Sequence, residues 1–184
     1  MKNQAYVTSD GICVYLDTFV KAATIGKILL IFWNLIAWGL VVLIIVFTSH
    51  EAGKSIIPAV IFLTLFNLLV LGKYTIWNFL GAEYIRINTK SVSFYRSYGI
   101  IKTTEKVIPI RILNVAYDHI TEFNGVEYGR ILIYDYDELN NPFETFSSTI
   151  LVSKQSYEMV QKMINELFQS NDSEINEFSL FHLN

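Results

Sequence analysis

Hydrophobic and polar positions follow three rhythms along this chain. Residues 28–47 (ILLIFWNLIAWGLVVLIIVF) run for twenty positions without a charge, and residues 56–72 (IIPAVIFLTLFNLLVLG) run for seventeen. At 1.5 Å per helical residue the first predicts a helix of about 30 Å, the hydrocarbon thickness of a bilayer. The second predicts about 25 Å, extended to residue 76 because Lys73 can snorkel and the residues after it suit a helix. The link TSHEAGKS separates them. Helices apolar on every side need more cover than the rest of a 184-residue chain supplies, so the pattern predicts a transmembrane hairpin over residues 28–80.

Beyond the hairpin the period shortens to two. Residues 83–89 and 91–98 alternate apolar and polar positions across Asn88-Thr89-Lys90, which predicts a β-hairpin. Residues 106–110 and 112–117 are further short strands, with Pro109 suited to an edge or a bend. Residues 129–136 (GRILIYDY) make the strongest strand, entered through Phe123-Asn124-Gly125, and residues 143–151 resume the sheet. From Ser153, the expected N-cap, the period lengthens again. Tyr157, Val160, Ile164, Leu167 and Phe168 form the stripe of an amphipathic helix ending at residue 169.

The expected molecule is thus an α+β membrane protein. Residues 1–27 form an N-terminal segment with a strand at 12–16 that could pair with the sheet. Spans at 28–47 and 56–76 form the hairpin. Residues 81–169 form an antiparallel sheet or barrel closed by a C-terminal helix. The tail 170–184 is either unstructured or docks Phe178, Leu180 and Phe181.

Composition sharpens this picture. Hydrophobic residues reach 52% and charged residues only 17%, beyond the usual soluble balance. One Cys cannot bridge within the chain, and a net charge of −3 argues against nucleic acid as a partner. The first apolar run is too long for a signal-peptide core and is followed by a second span. Lys21 and Lys27 precede the hairpin, Lys73, Arg86 and Lys90 follow it, and the link carries Lys54 offset by Glu51. The positive-inside rule then puts both termini in the cytoplasm of a multi-pass inner-membrane protein. Tyr74 and Trp77 are the expected interfacial anchors. Asn34 and Asn67 fall at matching depth, about 8–9 Å inside the cytoplasmic end, and are expected to share an interhelical hydrogen bond.

The junction Trp77-Asn78-Phe79-Leu80-Gly81-Ala82-Glu83-Tyr84-Ile85, and the strands ending at Arg96-Ser97-Tyr98-Gly99, resemble those of small bacterial two-helix membrane proteins that carry a cytoplasmic PH-like domain. More distantly, the layout is similar to that of the photosystem I assembly factor. The resemblance implies a PH-like fold beside a membrane and brings no catalytic residues. The basic pattern of phosphoinositide-binding PH domains is broken, because Lys90 and Arg96 are followed by Tyr98 at the next alternate position.

Catalytic chemistry finds little footing. His50, His119 and His182 lie far apart, the acidic group around Asp135–Asp137 departs from a calcium loop, and no nucleophile elbow or phosphate loop is present. The expectation is a protein without enzymatic activity, cofactor or metal. Charge is segregated. Residues 73–111 hold seven basic residues (Lys73, Arg86, Lys90, Arg96, Lys102, Lys106, Arg111) and two acidic ones, whereas residues 112–184 hold three basic and twelve acidic. One expectation is that the seven basic residues face an anionic leaflet. The functional expectation is an interaction module that scaffolds or helps assemble a membrane protein complex, its partners the bilayer and a second protein or copy. The alternatives are a lipid- or amphiphile-binding protein and, more weakly, an immunity protein against a toxin.

Overall fold

A computed structural model describes residues 4–48 and 57–180, with side chains over residues 5–47 and 57–169. The link carrying His50, Glu51 and Lys54, and the side chains of Phe178, Leu180, Phe181 and His182, lie outside the described residues. The chain divides into a helical unit, Val20–Gly81, and a sheet unit built from the residues on either side of it.

In the helical unit, α1 covers Thr24–Thr48. The second apolar run forms α2 (Ile57–Phe66), a π-helical segment (Asn67–Gly72) and α3 (Lys73–Leu80) in unbroken succession. Thr24–Phe47 and Ile57–Leu80 are each 24 residues long, with mean hydropathies of 2.7 and 1.8, enough to cross a bilayer by length and composition. Both extend past their expected ends because the polar residues there are satisfied within the helices. The Lys27 ammonium lies 5.0 Å over the Phe79 ring, and Asn78 donates through Nδ2 to the Tyr74 carbonyl at 2.8 Å.

This extension moves the interhelical bond. Asn34 donates through Nδ2 to the Leu30 carbonyl at 2.7 Å and across to the Thr75 hydroxyl at 2.8 Å. Asn67 is buried, and among the described residues no bond joins it to Asn34. The second helix runs eight residues beyond Gly72, so the position five before its end is Thr75, not Asn67.

Gly81 ends α3. It turns extended (φ −64°, ψ 134°) while its N–H donates to the Trp77 carbonyl. A Cβ here would stand 2.3 Å from that carbonyl oxygen and 2.8 Å from the Trp77 ring, which explains the Trp-to-Gly spacing of the junction. Gly81→Ala should therefore cost about 1–3 kcal/mol, in the range of overpacked sites, as a lowered midpoint of thermal unfolding in detergent.

The sheet unit contains β1 (Gln4–Ser9), β2 (Val14–Phe19), β3 (Gly81–Ile87), β4 (Ser91–Tyr98), β5 (Ile101–Lys102) and β6 (Lys106–Pro109). It continues with β7 (Asn114–Phe123), β8 (Val126–Tyr136), β9 (Pro142–Ser147), β10 (Val152–Ser153) and α4 (Lys154–Leu180). The first sheet has the order β1-β2-β3-β4-β5 with β6 on β4, and the second β10-β8-β7 with β9 on β8. These are antiparallel sheets that do not close into a barrel. The N-terminal segment contributes two strands. Its turn is held by Asp10, whose Oδ1 accepts the N–H groups of Ile12 and Cys13, and β2 pairs with β3 through Leu16↔Ile85. Residues 63 or more positions apart, separated by the whole hairpin, thus share one sheet.

The inward positions of both sheets, including Val14, Leu16, Ile85, Ile87, Ile131 and Ile133, make a single core. Val160, Ile164 and Leu167 of α4 complete it, and α4 continues as helix to Leu180. Ser153 accepts the Ser156 N–H through Oγ at 3.2 Å, as an N-cap side chain does. The β7–β8 turn has positive φ at Asn124 (51°) and Gly125 (75°), the geometry of a tight hairpin that those residue types favour.

The acidic group is divided between two structural tasks. Asp137 Oδ1 accepts the N–H groups of Leu139 and Asn141 and folds the β8–β9 turn. Asp135 is buried. Desolvation pushes its carboxyl up, but N–H donors from Ile112, Tyr136 and Arg111, with the Arg111 charge, bring it below the usual carboxylate range. Asp10 and Asp137 are lowered as well, chiefly by backbone donors. A lowered folded pKa gives stability that is present above the unfolded value and lost as pH falls through the folded one. The sheet unit should lose stability as pH drops below about 4, and Asp135→Asn should flatten that acid limb in pH-dependent unfolding.

Candidate functional site

Alternation fixes which residues of the first sheet point outward. Val14, Leu16 and Thr18 of β2 are buried with Glu83, Ile85 and Ile87 of β3, so Tyr15, Asp17, Phe19, Tyr84 and Arg86 project from the opposite face. On β1, Ala5 and Val7 pack on the core, so Tyr6 projects with them. Register aligns these residues in rows. Tyr6 stands opposite Asp17, Asp17 opposite Tyr84, and Tyr15 opposite Arg86.

The result is a continuous aromatic face. The Tyr6 and Phe19 rings meet edge-on at 5.9 Å and 78°, and Phe19 meets Tyr84 at 6.1 Å and 82°. Tyr84 stacks on Tyr95 of β4 at 4.8 Å and 13°. Cations are set into this surface. The Arg86 guanidinium lies 6.0 Å from the Tyr15 ring and 5.8 Å from the Tyr95 ring, and the Lys102 ammonium lies 5.8 Å from Tyr95. Glu105 pairs with Arg86 at 3.6 Å and accepts from the Ser93 hydroxyl at 2.8 Å. Such contacts are worth about 0.5–1 kcal/mol each at exposed positions, enough to orient the side chains in advance.

Asp17 is the unusual member. Desolvation by burial raises its carboxyl pKa, and the positive charge of Arg86 offsets that only in part. Tyr84 is raised by burial first, then by Tyr95 and Asp17. Ionising Asp17 at neutral pH therefore works against the fold. Asparagine there should be at least as stable.

The seven basic residues marked in the sequence do not form one surface. Arg86 and Lys102 come together over Tyr95. Arg96 turns to the inner face, where its Nε donates to the buried Glu83 Oε1 at 3.0 Å and its Nη2 reaches the Thr149 hydroxyl. The other Glu83 oxygen accepts the Thr149 N–H at 2.9 Å, so the pair ties the two sheets together. Lys90 is exposed at the β3–β4 turn, Lys106 is exposed on β6, and Arg111 is exposed while its N–H caps Asp135. Lys73 belongs to the helical unit, as do Tyr74, which is exposed, and Trp77, which packs beneath Gly81.

Tyr6, Asp17 and Phe19 had no place among the sequence candidates. The alternation in VYLDTF marks Asp17 and Phe19 as one face, but their meeting with Tyr84 needs a strand pairing across the hairpin. Among the described residues no group of three His, Cys, Asp or Glu side chains is arranged to hold a metal ion. Compared with known proteins, the chain matches no family model and has no significant match among curated proteins.

Proposed function

We propose that this chain is a non-enzymatic, membrane-anchored interaction module with a PH-like sheet domain, and that it helps assemble a membrane complex at the cytoplasmic face. The observation that carries the reading is the bareness of the helical unit. Only 6% of each apolar window is buried within the chain, leaving side chains such as Leu35, Leu43, Phe62 and Leu69 mostly exposed. An apolar surface of this extent is far larger than soluble monomers tolerate and calls for lipid as its cover. Strand pairing supports the topology. Because β2 and β3 lie in one sheet, a chain that crosses the bilayer in α1 must return in α2–α3. The positive flanks then favour the cytoplasm for the sheet unit.

The PH-like assignment draws on two antiparallel sheets closed by one C-terminal helix, with the β1–β2 hairpin as an addition. The aromatic–cationic face is the recognition surface. It is rich in Tyr and carries Arg86, residue types that supply binding energy at interfaces. The test is cross-linking of the full chain in its own membranes followed by detergent extraction. A partner or second copy captured by the wild type should be lost from Tyr95→Ala/Lys102→Glu. Equal capture by the variant would remove this face from the function.

A further inference from the structure

The outward face around Asp17 has the parts of an ammonium receptor. Phe19 stands perpendicular to both Tyr6 and Tyr84, so the three rings form a back wall and two side walls. Asp17 occupies the row position between Tyr6 and Tyr84 and supplies the floor. The side walls stand on strands two apart, about 10 Å at the usual strand spacing, so a cation midway lies about 5 Å from each wall. That is within the about 6 Å over which a ring face attracts a cation. The far side of Tyr84 is occupied by Tyr95, which holds that wall upright.

One row along, Arg86 presents positive charge with its side chain 47% exposed, held between the Tyr15 and Tyr95 rings. Glu105 at 3.6 Å offsets part of that charge without covering the group. Negative Asp17 and positive Arg86 thus stand side by side, opposite in sign to a phosphate joined to an organic ammonium. We infer that this face binds a zwitterionic phosphoammonium group, the ammonium over Asp17 within the Tyr6–Phe19–Tyr84 box and the phosphate on Arg86. A quaternary ammonium suits the box best, because it is weakly hydrated and gains most from aromatic walls. A bare lysine side chain would satisfy Asp17 and leave Arg86 unanswered. The shared chemistry has two sources, a lipid headgroup or a soluble phosphoammonium compound.

The test uses the full chain purified in a maltoside detergent, which carries neither group, and titration calorimetry with phosphocholine, choline and inorganic phosphate. Phosphocholine should bind saturably and at least tenfold more tightly than inorganic phosphate. Asp17→Asn and Tyr84→Leu should each weaken it about tenfold, and Arg86→Gln should reduce it to the affinity of choline. Asp17→Asn is the cleanest variant, since its midpoint of thermal unfolding should not fall. No saturable binding at millimolar phosphocholine, or wild-type affinity in Asp17→Asn and Tyr84→Leu, overturns the inference. None of this depends on the membrane reading. A second arm in nanodiscs then identifies the source. Loss of soluble phosphocholine binding in phosphatidylcholine discs but not phosphatidylglycerol discs supports the lipid headgroup, and equal binding in both supports the soluble compound.

Discussion

Arg96→Ala should destabilise the sheet unit by about 2–3 kcal/mol, whereas Lys102→Ala, a change of similar size in the same stretch, should stay within about 0.5 kcal/mol. The difference lies in what each charge leaves behind. Glu83 is fully buried, and Arg96, 40% exposed, is its cationic partner at 3.0 Å. Without Arg96 the carboxylate stays buried, with the Thr149 N–H to satisfy it. Breaking a fully buried pair costs about 3–5 kcal/mol, and the exposure of Arg96 places this one below that range. Lys102 makes one exposed cation–π contact and leaves no buried charge. Urea unfolding of the full chain in detergent, followed by tyrosine near-ultraviolet dichroism, measures both. The double variant Glu83→Gln/Arg96→Met should be milder than Arg96→Ala, because it removes the orphaned charge as well. Equal effects of Arg96→Ala and Lys102→Ala would contradict the inward assignment of Arg96.

The second large effect concerns the helices. Leu35 and Leu69 lie near the midpoints of the spans Thr24–Phe47 and Ile57–Leu80 and are 68% and 66% exposed. In water, aspartate at such a position would be neutral or would improve solubility. In hydrocarbon it costs about 3 kcal/mol at a helix centre. Leu35→Asp and Leu69→Asp should each deplete the chain from the alkali-resistant membrane fraction and lower its steady-state amount. Asp at Lys21 or Lys90, outside the runs, should do neither. Unchanged membrane recovery in both leucine variants would mean that these surfaces do not meet lipid.

How much of this was legible in the sequence depended on how local its cause was. The apolar runs were legible because no charge interrupts them, but their ends were not. Lys27 and Lys73 read as boundary residues, yet Lys27 lies inside α1 with its ammonium over the Phe79 ring, Lys73 opens α3, and Asn78 stays helical with its amide on the Tyr74 carbonyl one turn back. That misplacement of the end carried Asn67 into a pairing that belongs to Thr75. The β3–β4 hairpin and the closing helix followed directly from their periods. β1 escaped notice because QAYVTS offers the core only Ala5 and Val7, too weak an alternation to stand out. Arg96 is instructive, since Val92, Phe94 and Arg96 share one parity, as do Glu83, Ile85 and Ile87. A charge at an inward position on each strand was a sign of a buried pair that strand alternation alone contained. The aromatic box was out of reach of local reading. It depends on β2 meeting β3 after the chain has passed through the whole helical hairpin.

The central claim is that the chain crosses a bilayer twice and holds both flanks of the hairpin on one side. Cysteine labelling tests it most directly, on a Cys13→Ser background, with single cysteines at Ser55 in the link, Thr8 on β1 and Lys90 in the β3–β4 turn. In intact cells a membrane-impermeant maleimide should label the link position alone, and the other two should react only after permeabilisation. Labelling of all three before permeabilisation, or of Thr8 and Lys90 on opposite sides, would contradict the claim.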